Sequence, residues 1–506
     1  MRIALRIEAD RVRRWHLRLA DRLGVPGVDV AVVAAPPVPP PVGLDGLFVM
    51  ERRLLRGGRP GGGDVADASA VAARLVPGGT FDMVVDLSAR PALAPGASTL
   101  VVRYDGGFGD DAALAALLAG AVPVVEIAEA ASGVVLERLH ASTEMAVGVS
   151  GALDAVGARI TTALVALTAA WRSGRARPEP PAIPAAPRGA PRPPGRILAR
   201  ELASTATRAV YRLLCEAPHW RVGWRHVDGN GVLARGDLSG PGWSVLPDPG
   251  GHFYADPFPA FEGGQGAIFF EDLDHRTGKG VVSVVRMGER GPVSVAETVL
   301  EQPTHLSYPF LLHWDGALHM VPESSAAGDV ALWRCTRFPD RWERVATLIS
   351  GAALADATLF EHAGRWWMTS VAFDGEGGYS DTLVIHHAPS PLGPWRPIEA
   401  EPVLIDRATA RPAGAVVRVG DRLFRPVQDC SLGYGKALAI TEITRLDEGG
   451  FAQTVVSRIA PGGRWPGHKL HTLNRLGRLE VIDGSVPRPR GAPFRALAER
   501  RWRPPA

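Results

Sequence analysis

Cysteine is scarce, with only Cys215, Cys335 and Cys430 among 506 residues. An odd, widely spaced set excludes a disulfide framework and a zinc site, and it fits a reducing compartment. Charge of one sign is missing as well: 56 Lys and Arg stand against 53 Asp and Glu, a formal +3. That balance gives no reason to invoke nucleic acid or an anionic membrane. The longest apolar stretches, such as ALAALLAGAVPVVEIAEAA, are broken by Pro or Glu and fall short of the roughly 20 clean residues of a membrane span. The N-terminus, MRIALRIEADRVRRWHLRLADRL, turns charged after five residues and holds no apolar core for a signal peptide. The first strand–helix junction has no glycine-rich phosphate loop, which speaks against a nucleotide site of the usual kind. The expectation is a soluble, cytoplasmic protein with no cofactor, no metal and no integral membrane segment.

What is present divides in two. Residues 173–195, SGRARPEPPAIPAAPRGAPRPPG, hold almost no large apolar side chain, so they read as an extended linker. Before it, in 1–172, strand-like runs (IALRI, VDVAVVA, FDMVVDLS, STLVVRYD) alternate with helical patterns such as Val12, Trp15, Leu19 and Leu23. That rhythm predicts an α/β domain with a mostly parallel sheet. The order, including FDMVVDLS and GVVLERLHAS, resembles the N-terminal domain of the formyltransferase family. That family works with an Asn, a His and an Asp, and VVRYDGGFGDD has neither His nor Asn. The resemblance therefore implies a degenerate formyltransferase-like domain, used for docking or for a small ligand.

After the linker, in 196–506, one pattern recurs five times: a strand, a tight Gly turn and a second strand. The turn glycines Gly264, Gly316, Gly364, Gly420 and Gly477 are 52, 48, 56 and 57 residues apart. Such spacing predicts an all-β five-bladed propeller. GVVSVVRMG, VALWRCTRF, DTLVIHHAP and KALAITEIT supply outer strands. Asp256, Tyr308 and Asp356 each lie eight residues before their glycine. With Arg411 and His471 from the fourth and fifth units, they converge on one channel mouth. A second ring comes from the ends of the second strands: Glu271, Glu323, and Gln428 with Asp429. Carboxylates converging from separate strands are what glycosidic chemistry needs, one protonated and one ionised.

Trp220 to Asp483 resembles the five-bladed arabinanase, invertase and levansucrase superfamily. The motifs YADPF, SYPFLLHWDG, MVPESS, DATLFEHAGRWWM, SPLGPW, ARPAG, RPVQDCSLGYG and HKLHTLN resemble more closely the N-terminal domain of plant glucosamine inositolphosphorylceramide transferases. The superfamily likeness implies Asp256 as base or nucleophile and Asp356 as its support. The acid would be a Glu from another blade, for which Glu323 is the first candidate and Asp429 the second. Tyr308, Arg411, Asp429, Gln428, His471 and Glu271 are the expected substrate contacts. The partner is a saccharide, a nucleotide-sugar or a glycolipid precursor. Three roles stay open: glycosidic-bond chemistry, as a glycoside hydrolase or glycosyl-transfer enzyme; non-catalytic glycan binding; and a sugar-modifying formyl or acyl transferase in which the propeller recognises substrate.

Overall fold

The computed structural model describes residues 1–501 apart from 40–42, 176, 178, 185–188, 399–401, 463–464 and 466. The chain forms two compact units. The first comprises 1–207 with 375–378 and 404–406; the second comprises 208–374, 379–403 and 407–506.

In the first unit, β1 (Arg2–Glu8) pairs in parallel with β2 (Asp29–Ala35), and β2 with β3 (Leu75–Val76). On its other side β1 pairs in parallel with β4 (Met83–Asp86), and β4 with β5 (Ser98–Tyr104). β6 (Val125–Glu129) and β7 (Val135–His140) extend the sheet antiparallel. The sheet is therefore mixed, parallel from β3 through β5 and antiparallel beyond, where the strand–helix alternation predicts a mostly parallel one. α1 (Arg14–Leu23) buries Trp15, Leu19 and Leu23 at helical spacing, beside Val12. The α2 helix (Gly109–Ala119) packs Ala113 and Leu114 into the same core. α3 (Gly148–Arg172) is long and apolar enough to cross a membrane, yet most of it is buried inside the unit. Its Gly157 is needed where Trp15 crosses, because an added Cβ would sit 2.5 Å from the indole.

Of the linker expected at 173–195, residues 176, 178 and 185–188 lie outside the described residues. Pro194–Leu214 forms α4, 21 residues long, a helix that the strand-based reading of 196–506 did not assign.

The second unit is propeller-like and nearly all β. It begins with β8 (Trp220–His226). β9 (His252–Glu262), β10 (Gln265–Asp274) and β11 (Lys279–Gly288) form an antiparallel meander with short strands at its outer edge. A second sheet runs β12 (Ser307–Trp314), β13 (Ala317–Ser324), β14 (Asp329–Arg337) and β15 (Arg341–Ser350). The third repeat gives β16 (Leu354–His362), β17 (Arg365–Ala372) and β18 (Thr382–Ala388), followed by only two residues of β19 (Arg396–Pro397). The next sheet is β20 (Val417–Val419), β21 (Arg422–Asp429), β22 (Ala437–Asp447) and β23 (Gly450–Ile459). The last joins β24 (Leu473–Leu476) and β25 (Leu479–Ser485) to β8 from the start of the unit. α5 (Ala492–Arg501) follows.

Four of these sheets are self-contained, instead of the five expected. In the third repeat the place of the fourth strand holds only Arg396–Pro397, in a stretch that also carries Pro389, Pro391 and Pro394. Proline cannot donate to a ladder, so the meander there stops at three full strands.

Candidate active site

Three inner strands carry the same irregularity. Register slips between Ala255 and Phe258 in β9, between Ser307 and Phe310 in β12, and between Ala355 and Thr358 in β16. At each slip a non-glycine residue takes left-handed backbone: Asp256 at φ 50°, Tyr308 at 40° and Asp356 at 56°. A bulge re-aims a side chain, and holding such a residue there costs about 1–3 kcal/mol. These are the positions eight residues before each turn glycine, so the repeat in sequence is a repeat in conformation.

Asp256 is buried beside His471, Thr472 and Asp483. The Thr472 hydroxyl donates to Asp256 Oδ1 at 2.6 Å, and the Tyr308 backbone N–H donates to Oδ2 at 3.3 Å. Asp483 accepts from the backbone N–H groups of Asp256, His471 and Thr472, each at 3.0 Å. Its Oδ2 also meets His471 Nδ1 at 2.6 Å. Burial alone would lower the His471 pKa, but the Asp483 and Asp256 carboxylates outweigh it and the net shift is upward. Trp220 stacks on the imidazole at 3.8 Å. Ligand atoms of Asp256, His471 and Asp483 lie within 4.8 Å of one another, close enough for one cation. The His471–Asp483 hydrogen bond already closes that set on itself.

Asp356 anchors the second group. Arg411 Nε donates to its Oδ2 at 2.6 Å and Nη2 to Oδ1 at 3.5 Å, while the Gln428 amide donates to Oδ2 at 3.2 Å. Glu323 lies near enough to Asp356 to raise its pKa; it accepts from Ser325 Oγ at 2.7 Å and lies 3.9 Å from Arg411 Nη2. Burial pushes Asp356 well above the usual carboxylate range; Arg411 opposes this, and the Glu323 and Asp256 charges add to it. Asp256 is raised too, first by burial and further by Asp483 and Glu323, with His471 opposing.

Glu271 faces the same interior, paired with His305 Nε2 at 3.2 Å and raised chiefly by burial. Tyr308 turns its hydroxyl to Thr358 Oγ1 at 2.8 Å. Replacing Tyr308 with Phe should cost about 1 kcal/mol in denaturant unfolding, the usual net worth of one hydrogen bond. An unchanged midpoint would show that this bond does not help hold the bulge.

Of the residues expected from sequence, Asp256, Glu271, Tyr308, Glu323, Asp356, Arg411, Gln428 and His471 belong to this network. Asp429 does not. Successive strand residues face opposite sides, so Gln428 points to Asp356 while Asp429 pairs with Arg458 and accepts from the Ser431 N–H. Arg425 is spent on the carbonyls of Thr409 and Ala410 and on Gln453. Missed by sequence reasoning were Asp483, Thr472, His305, Trp220 and Tyr434, whose ring lies 5.0 Å from the Arg411 guanidinium and edge-on to His471. Asp483 ends the second strand of the last repeat, as Glu271 and Glu323 end theirs, and that equivalence was its one available signal.

The raised groups share one sign. His471 holds its proton more tightly folded than unfolded, so its contribution is complete below about pH 6.5 and is lost as pH climbs through its folded value. The raised carboxyls act likewise, beginning at lower pH. The thermal midpoint should therefore fall between about pH 7 and 9, and less steeply in His471→Gln. A midpoint that rises over that window contradicts this arrangement of charges.

A family described as glucosamine inositolphosphorylceramide transferase 1, N-terminal, matches residues 245–479. Glucosamine inositolphosphorylceramide transferase 1 of Oryza sativa subsp. japonica is 31% identical over 257 residues, covering 47% of this chain and 34% of that protein. Its namesake in Arabidopsis thaliana is 30% identical over 204 residues, covering 39% and 26%. The chain thus spans about a third or less of the length of these relatives. Among solved structures, the catalytic domain of an alpha-L-arabinofuranosidase from Coprinopsis cinerea is 12% identical at a TM-score of 0.34, covering 44% of this chain and 78% of that one. An alpha-L-arabinofuranosidase from Clostridium thermocellum is 8% identical at 0.30, covering 43% and 81%.

Proposed function

We propose that the second unit is a carbohydrate-active domain that makes or breaks a glycosidic bond at the mouth lined by Asp256, Asp356 and Glu323. The observation that carries this reading is the convergence of Asp256, Asp356 and Glu323, with Asp256 and Asp356 both buried and held above the usual carboxylate range. Glycosidic chemistry uses one carboxyl that keeps its proton and another that ionises. In this reading Glu323 is the acid, with Asp356 and Arg411 beside it. Asp256, steadied by Thr472 and the Tyr308 N–H, is the base or nucleophile. Tyr308, Gln428, His471 and Glu271 shape the mouth. The named relatives point to an amino-sugar donor or an inositolphosphoryl glycolipid as substrate, either presented as a precursor to this mouth.

A second reading, glycan binding without turnover, is favoured by the Arg411–Asp356 ion pair. That pair ties Asp356 to a guanidinium, and Asp429, which stands in the fourth unit where the likeness calls for a Glu acid, pairs with Arg458 instead. The first unit, with its formyltransferase-like sequence and neither the His nor the Asn of that family, is assigned a docking or small-ligand role. The full chain screened against a glycan array, nucleotide-sugars and aryl glycosides tests the proposal. Saccharide-dependent turnover supports it, binding without turnover supports the second reading, and no response to any saccharide defeats both.

A further inference from the structure

α4 places Leu202, Ala206, Ala209, Val210 and Leu213 along one face, at the three- and four-residue spacing of an amphipathic helix. That face is open: Leu202 is 38% exposed, Val210 54% and Leu213 74%. Arg200, Arg208 and Arg212 flank it on the polar side, together with Arg196. Within the second unit the end of α4 is tied to the approach of α5, since Leu214 O accepts from the Arg490 N–H and Cys215–Glu216 pairs with Arg488–Pro489. α5 in turn exposes Phe494 at 68% and Leu497 at 67%.

The charge on these two helices is lopsided. α4 carries four arginines against Glu201, and α5 carries Arg495, Arg500 and Arg501 against Glu499. Their surplus of five positive charges exceeds the +3 of the whole chain, so the remainder is net acidic. The chain's overall balance conceals this.

We propose that, within the second unit, the exposed end of α4 at Val210 and Leu213 and the face of α5 at Phe494 and Leu497 form a docking surface for an anionic lipid bilayer. Leucine, valine and phenylalanine would enter the headgroup boundary while the arginines meet lipid phosphates, the pattern of an interfacial helix. Charge decides against a second copy of the chain as occupant, because it would bring the same positive surplus face to face. The inference stands apart from the glycosidic reading, which concerns residues elsewhere in the second unit.

Flotation of the full chain with vesicles tests it. Binding to phosphatidylcholine vesicles containing phosphatidylglycerol should exceed binding to phosphatidylcholine alone by about tenfold or more and weaken with added salt. Val210→Glu with Leu213→Glu should abolish it, and Arg212→Gln or Arg500→Gln should each weaken it by about fivefold. All four positions are exposed, so circular dichroism of each variant should match the parent. Equal binding to neutral and anionic vesicles, or none to either, overturns the proposal. So does a dimer that the Leu213→Glu change converts to monomer without any vesicle binding.

Discussion

Asp256→Asn is expected to reduce glycosidic turnover by about three orders of magnitude or more while leaving saccharide affinity within a few-fold of the parent. The change keeps the size of the side chain and one acceptor for the Thr472 hydroxyl or the Tyr308 N–H, the two donors that Asp256 receives. What it removes is the charge, and charge is what a base or nucleophile needs. Asn also tolerates left-handed backbone better than most residues, so the φ of 50° at this position is no obstacle to folding. Kinetics of the variant on whichever saccharide the parent turns over provide the measurement. Turnover within tenfold of the parent would reduce Asp256 to a turn residue, and affinity lost together with turnover would make it a binding group.

Arg411→Leu should cost about 3–5 kcal/mol, because it breaks a buried ion pair and leaves the other partner without compensation. Arg411 and Asp356 are both almost wholly buried, 2.6 Å apart, with Glu323 beside them. The thermal midpoint should drop by on the order of 10 °C. Adding Asp356→Leu should recover much of the loss, since a well-packed apolar pair often replaces a buried ion pair at little cost. A single variant as stable as the parent would mean that the pair contributes nothing to holding the mouth together.

The ring of Asp256, Tyr308 and Asp356 was legible because a constant offset from a turn glycine survives folding as a constant place on an inner strand. The left-handed bulge that makes those places alike was not, since register slips leave no mark in an alternating pattern. Asp429 was misplaced for a related reason: sequence adjacency to Gln428 suggested a shared site, and strand alternation separates them. Asp483 and Tyr434 escaped because the last repeat was read from its histidines and because Tyr434 lies between strands, where no periodicity applies. The fourth strand of the third repeat is cut short by prolines visible in the sequence, but repeat spacing alone counted it as complete. α4 was hidden by its neighbours, following a proline-rich stretch and preceding a long run of strands. Its helical period becomes plain only once its apolar face is seen to be uncovered.

The most direct test is a crystal structure of the full chain with a saccharide that it binds in the glycan screen. The account predicts the sugar ring at the mouth, with a hydroxyl or glycosidic oxygen within hydrogen-bond distance of Asp256 and of the Glu323–Asp356 pair, and Tyr434 or Trp220 against its edge. A saccharide seated elsewhere on the second unit, with Asp256 still bonded to Thr472 and Tyr308 and Glu323 to Ser325 alone, would contradict it.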